Sequence, residues 1–231
     1  MIPWLSPGAP FPPVAAALRD PNGLLAAGGR LDIDTLLRAY RSGIFPWYAH
    51  DDPILWWSPD PRMVLDPSAV HLSHSLAKTL RNGRHQVRAD TAFAEVIDNC
   101  ADLRRDDGTW INPAIRSVYL ELHEQGHAHS IEVWMDDDLV GGLYGLTIGR
   151  IFFGESMFHV QRDASKIALA HLCRQLQRWG FGLIDCQMET SHLASMGAVP
   201  IPRDAFIARL ADLVNCGMAP GKWRLDDELF A

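Results

Sequence analysis

The chain has 231 residues, 48% of them hydrophobic, with 28 acidic against 21 basic side chains and a net charge of −7. That length suits one large domain or a main domain with a smaller one attached, and a chain this apolar builds a sizeable core, which excludes intrinsic disorder. The acidic balance excludes broad non-specific binding to nucleic acid but leaves room for a local basic patch.

The opening stretch, "MIPWLSPGAPFPP", lacks a basic segment and is broken by prolines, so it does not read as a signal peptide. Residues 1 to about 30 are rich in Pro and Gly and are expected to be irregular, laid over the rest. "DIDTLLRAYRSG" reads as a short helix, with Asp32 or Asp34 as N-cap and Gly43 as stop. "IFPWYAHDDPILWWSPDPR" is turn-rich and aromatic. Its prolines Pro53, Pro59 and Pro61 put a domain boundary near residue 62, giving a small N-terminal domain (1–62) and a larger one (63–231). Helical patterns follow at roughly 73–82, 91–102 and 113–125.

The texture changes at residue 129. "HSIEVWM", "LVGGLYGLTIG" and "RIFFGESMF" are strand-like runs joined by the short turns "DDD" and "GR", which predicts an antiparallel meander. "RDASKIALAHLCRQLQRWG" follows as a long amphipathic helix stopped by Gly180, then "GLIDCQM" as a returning strand and "RDAFIARLADLV" as a last helix. The expected class is α+β, a mainly antiparallel sheet flanked by helices. The four cysteines are far apart with no CxxC and read as thiols in a reducing compartment. No apolar run reaches the ~18 residues of a membrane helix, so a soluble cytoplasmic protein without a membrane partner is expected.

Four constellations bear on chemistry. "HEQGH", His123 to His127, satisfies the HExxH zinc spacing, but the apolar stripe Ile115, Val118, Leu122 reads as a helix capped by Gly126. His127 then lies beyond the helix, and no metal is expected. Glu155 stands among Phe152, Phe153, Met157 and Phe158, where a carboxylate must either meet a cation or rise in pKa. Asp185 and Gln187 are two apart on a strand and are expected to share a face, so that Glu155 and Asp185 look into one cavity able to bind a cation and move a proton. The plainer alternative is that each carboxylate caps a loop or pairs with an arginine. Tyr40, Trp47, Trp56, Trp57 and Trp110 are either a local core or stacking platforms for bases. Between Asp66 and Asp90 there is no acidic residue, and Lys78, Arg81 and Arg84, three apart, present a basic face suited to phosphates, or else to solvent alone.

The blocks "PNGLLAAGGRL", "YRSGIFPWY", "DPILWWSPDPR", "GTWI", "HEQGHAHSIEVW", "GRIFFGESMF", "ASKIALAHL" and "LIDCQ" together resemble the bacterial leucyl/phenylalanyl-tRNA–protein transferases, from about residue 20 to beyond 205. The resemblance implies a small N-terminal domain joined to a GNAT acyltransferase-like one. It implies transfer of Leu or Phe, less well Met, from aminoacyl-tRNA to proteins with N-terminal Arg or Lys, which marks them for N-end rule degradation. No cofactor and no metal are implied. By that similarity Tyr40, Trp47 and Trp110 hold the terminal adenosine of the tRNA, and Leu143, Phe152, Met157 and Leu172 line the donor side-chain pocket. Glu155, Asp185 and Gln187 match the family's polar centre. Relatives carry Met at the position of Leu143, Phe at that of Leu172 and an acidic residue at that of Ser191. Backbone N–H groups near Gly154 are expected to help an oxyanion, and Asp185 to hold the acceptor's α-ammonium. A coenzyme-A-dependent N-acyltransferase is the alternative activity, disfavoured because "VQRDASK" offers no glycine turn for a pyrophosphate. A non-catalytic tRNA-binding module is the third reading, and it leaves the acidic cleft unexplained.

Overall fold

A computed structural model describes residues 2–103, 109–217, 221–227 and 229–230. In chain order the elements are β1 (Trp4–Leu5), β2 (Leu24–Gly28), α1 (Ile33–Arg41), β3 (Phe45–Pro46), β4 (Leu55–Trp57), β5 (Arg62–Leu65), α2 (His74–Asn82), β6 (Gln86–Ala89), α3 (Phe93–Asp102), α4 (Pro113–Glu124), β7 (Ala128–Met135), β8 (Asp138–Ile148), β9 (Ile151–His159), α5 (Ala164–Arg178), β10 (Leu183–Gln187), α6 (Ser191–Ser195), β11 (Val199–Ile201) and α7 (Arg203–Leu213). They form a four-stranded sheet, β1-β2-β4-β3, and a seven-stranded sheet, β11-β5-β10-β9-β8-β7-β6. The larger sheet is antiparallel throughout except between β9 and β10, so the α+β class and the β7–β9 meander are as expected.

Helix ends follow local chemistry. The Asp32 carboxylate accepts from the Thr35 N–H at 2.8 Å, and the Asn112 side chain accepts from the Ala114 and Ile115 N–H groups, each at 3.0 Å, ahead of Pro113. Gly43, Gly126 and Gly180 end α1, α4 and α5 in the left-handed region, with φ of 74°, 75° and 74°.

The expectation of an irregular first thirty residues needs correcting. Leu24–Gly28 is a strand, paired to Trp4–Leu5 on one side and to Leu55–Trp57 on the other, and the aromatic stretch supplies β3 and β4. β5, β6 and β11 were likewise not anticipated. All of these are strands of two to five residues whose hydrogen bonds lie with distant partners, so local pattern carries little of their signal.

The large sheet is buried on both faces. Alternate residues of β9 feed opposite cores: Ile151 and Phe153 pack with α1, α3 and α4, while Phe152 packs with α2 and α5. Two irregularities sit side by side at its centre. In β9, Ser156 and Gly154 face the adjacent pair Tyr144 and Gly145, so Glu155 is an extra, bulged residue. In β10, Gln187 and Asp185 face the adjacent pair Met63 and Val64, so Cys186 is extra, and Gln187 has φ of 62°. The β9–β10 pairing ends at Phe153 with Asp185, and beyond it the two strands part.

Candidate active site

The gap between the parted strands opens into a cavity of about 900 Å³. Its apolar end is walled by Leu143, Phe152, Met157, Leu169, Leu172 and Ile184, and its mouth by Trp47, Trp57 and Trp110. Gly154, Glu155 and Gln187 line the same cavity. The four residues assigned to the donor pocket therefore share one wall system, and Trp47 and Trp110 stand at the opening. Trp47 is 39% exposed, its ring edge-on to Trp57 and its carbonyl accepting from the Trp57 indole N–H at 2.6 Å.

Glu155 resolves the choice its surroundings pose. Among the described residues no cation meets it. Its Oε1 accepts from the Tyr40 hydroxyl at 2.7 Å and from the Gln187 amide at 3.1 Å, and the Tyr119 hydroxyl, bonded to that of Tyr40, adds to the same pull on the carboxylate. Burial pushes its pKa up to about 7 from the usual 4.5, against the opposing pull of those three groups. Tyr40 and Tyr119 are hydrogen-bonded to each other, and burial with the nearby carboxylate lifts both phenols well above their ordinary range, so they stay neutral donors. The Ser156 hydroxyl is buried on the same wall with no hydrogen-bond partner among the described residues.

Two expected placements are not met. Tyr40 is fully buried, its ring edge-on to Phe153, and it does not line the cavity. It offers no face to a base; α1 packs it inward, and its hydroxyl steadies Glu155. Asp185 does not share a face with Gln187, because the bulge at Cys186 breaks the two-residue alternation. Both its oxygens are taken by the Arg62 guanidinium, at 2.8 and 2.7 Å, with both side chains fully buried. The alternative of an arginine partner holds for this carboxylate, and it is closed to an incoming ammonium. Asp185 also accepts from the Gln187 backbone N–H at 2.9 Å, which fixes the strained residue whose side chain reaches Glu155.

Arg62, Tyr119, Ser156, Leu169 and Ile184 were not picked out from the sequence. Only Arg62, a lone charge ahead of the apolar run "MVL", left a signal there.

Outside the cavity, α4 ends at Glu124, so His123 and His127 do not share a helical face; His123 bonds to the Ala128 carbonyl at 2.8 Å and stacks on Phe93. Among the described residues no three His, Cys, Asp or Glu side chains are grouped to hold a metal ion, and no helix is long and apolar enough to cross a membrane. Lys78 and Arg81 are exposed on α2, while Arg84 is exposed past its end rather than on the same helical face.

A titratable carboxyl buried where an apolar pocket meets an aromatic mouth marks an enzyme's site rather than a stretch of core. The sequence matches the family described as leucyl/phenylalanyl-tRNA protein transferase over residues 64–211 and the N-terminal domain of that family over residues 29–60. The leucyl/phenylalanyl-tRNA–protein transferase of Aromatoleum aromaticum is 60% identical over 96% of this chain and 94% of its own. That of Nitrosospira multiformis is 57% identical over 99% of both chains. Among solved structures, a GCN5-related N-acetyltransferase from Kribbella flavida aligns with a TM-score of 0.39 and 11% identity over 71% of this chain and 59% of that one. The chain belongs to the leucyl/phenylalanyl-tRNA–protein transferase family and is an aminoacyltransferase.

Proposed function

We propose that this chain transfers Leu or Phe, and Met less well, from aminoacyl-tRNA to the α-amine of proteins that begin with Arg or Lys, and so marks them for N-end rule degradation in the cytoplasm. One observation carries the reading: a single cavity joins an apolar pocket, an aromatic mouth and a carboxyl poised near neutrality. The donor side chain fills the pocket of Leu143, Phe152, Met157 and Leu172, and the terminal adenosine stacks at Trp47 and Trp110. Ionised Glu155 receives the acceptor's cation. Four free thiols among the described residues fit a reducing compartment. A division of the chain near residue 62 fits the two sheets, with β5 opening the larger one.

The ester is already activated, so no covalent enzyme intermediate is needed. The α-amine nitrogen bonds to the ester carbonyl carbon, the bond to the ribose oxygen breaks, and the amine's proton leaves to the departing ribose hydroxyl. With an α-amine pKa near 7.7–8.0, roughly a tenth or more is free base at pH 7, against less than about 0.1% for a lysine side chain. Positioning therefore contributes more than a strong base does. Gln187 orients the reacting groups, the Gly154 main chain supports the oxyanion, and Asp185 acts through Gln187.

Donor choice tests the reading. A pocket roomy enough for Leu and Phe excludes Ile and Val by shape at Cβ, where Phe152 and Met157 stand. Leu- and Phe-tRNA are expected as donors and Met-tRNA as a weaker one. Ile- and Val-tRNA should be poorer by about tenfold or more, on the order of 1.4 kcal/mol. Met157→Ala should narrow the gap. Competition among the five charged tRNAs, with acyl-coenzyme A as a sixth donor, decides it. Equal use of Ile and Leu sinks the pocket assignment, and acyl-coenzyme A as the better donor sinks the activity.

Lys78, Arg81 and Arg84 are assigned to tRNA phosphates. If three or four contacts form, the log–log salt slope of tRNA binding should lie near −2 to −4, at ~0.7–0.9 per contact, and replacing all three should flatten it. An unchanged slope would leave these charges to solvent.

A further inference from the structure

β8 and β9 carry four glycines: Gly141, Gly142, Gly145 and Gly154. Three are dictated by packing. A Cβ at Gly141 would stand 2.5 Å from the Ala164 Cβ, one at Gly142 2.8 Å from the Ile131 carbonyl oxygen, and one at Gly145 2.2 Å from the Phe153 carbonyl oxygen. Gly154 differs. A Cβ there would meet nothing closer than the Asp185 carbonyl oxygen at 3.6 Å, an ordinary contact, and its φ is not in the left-handed region. Neither the fold nor the backbone requires glycine at this position, and glycine inside a strand costs stability.

Its surroundings suggest the reason. Gly154 is half-buried between buried Phe153 and buried Glu155, and it lines the cavity just past the last β9–β10 pair. At 4.0 Å from where its Cβ would stand is the Phe152 ring of the apolar pocket, and Glu155 and Gln187, bonded to each other, line the same cavity. A glycine inside a strand marks a bulge or the close approach of another molecule; the bulge at Glu155 puts no left-handed φ on Gly154, and the open space beside it leaves the close approach.

We infer that Gly154 is a positioning residue for the donor, its bare main chain forming the floor under the α-carbon and ester carbonyl of the aminoacyl group. The inference rests on the donor reading above and adds to it the reacting end of the donor. A methyl group on that floor lifts the ester away from Glu155 and Gln187 while leaving the adenosine and the fold untouched.

The experiment compares the unmodified enzyme with Gly154→Ala in three measurements. Melting temperature should be unchanged or higher in the variant, because a strand residue gains a side chain without a clash. Affinity for a non-hydrolysable leucylamido-adenosine should fall by about tenfold or more, while affinity for adenosine itself stays within about twofold. Transfer from Leu-tRNA should fall by roughly a hundredfold, as for a reacting group displaced by about an ångström. Transfer and analogue affinity within twofold of the unmodified enzyme would overturn the assignment. So would a lowered melting temperature with activity lost only in proportion to the unfolded fraction, which would make the glycine structural. The unmodified enzyme reads the function separately: if it uses neither Leu- nor Phe-tRNA, the donor reading fails whatever the variant does.

Discussion

Asp185→Ala is expected to lose a large part of its folding stability, and not only its activity. Arg62 donates two parallel hydrogen bonds to Asp185, a third bond to the Gly43 carbonyl at 3.2 Å, and lies 4.8 Å from the Phe45 ring centroid and 4.7 Å from that of Phe206. The guanidinium thus ties the end of α1, β3, α7 and β10 together at a point from which water is excluded. Removing the aspartate strands that charge. Breaking one partner of such a buried pair costs about 3–5 kcal/mol, a large part of a total stability of about 5–15. For a chain of this length that lowers the melting temperature by roughly 6–20 °C. Replacing both charges, Arg62→Met with Asp185→Leu, should recover most of the loss, since the apolar pair strands nothing. Calorimetry on the two single variants and the double variant checks this. Asp185→Ala melting within about 2 °C of the parent would show that the pair holds little, and would return Asp185 to the list of groups free to meet substrate.

That expectation differs from what strand alternation implies, and the difference shows where sequence reading stops. Residues two apart in a strand share a face only while the ladder is regular. One extra residue, Cys186, sends Asp185 to Arg62 and Gln187 to Glu155. Nothing in "LIDCQ" announces the bulge, because its cause is the register of β5, whose Arg62 lies 123 residues earlier. The bulge at Glu155 is equally silent in "FFGESMF". What was legible is local: the cap Asp32, the stops Gly43, Gly126 and Gly180, the short turns of the meander, and the anomaly of one acid among four large apolar side chains. Tyr40 illustrates the limit. Its place in the blocks of family resemblance set it at the adenosine, whereas its burial under α1 and its bond to Glu155 depend on packing between parts of the chain 115 residues apart.

Glu155→Gln is expected to make the protein more heat-stable above pH 7 and at the same time a poorer enzyme. The native pKa near 7 lies above the ordinary 4.5 because burial disfavours the charge, so the folded state binds this proton more tightly than the unfolded chain does. Below about pH 4.5 both states carry it and the group costs nothing. Between 4.5 and 7 the unfolded chain releases it first, so stability falls as pH rises through that window; above 7 the full cost, on the order of 3 kcal/mol, is constant. Glutamine keeps an oxygen for Tyr40 and Gln187 and removes the charge. The variant's melting temperature should exceed the parent's by roughly 6–12 °C at pH 8, with the gap closing towards pH 5. Activity runs the other way. An acceptor that brings an ammonium or guanidinium group needs the carboxylate, so kcat/KM of the parent should rise through pH 7 as Glu155 ionises and again as the α-amine loses its proton near 7.7–8.0. Only the second rise should survive in Glu155→Gln. Melting temperature and kcat/KM measured from pH 5 to 9 for both proteins separate the outcomes: a constant gap in melting temperature across that range, or a limb near 7 that persists in the variant, would mean that the group titrating there is not Glu155.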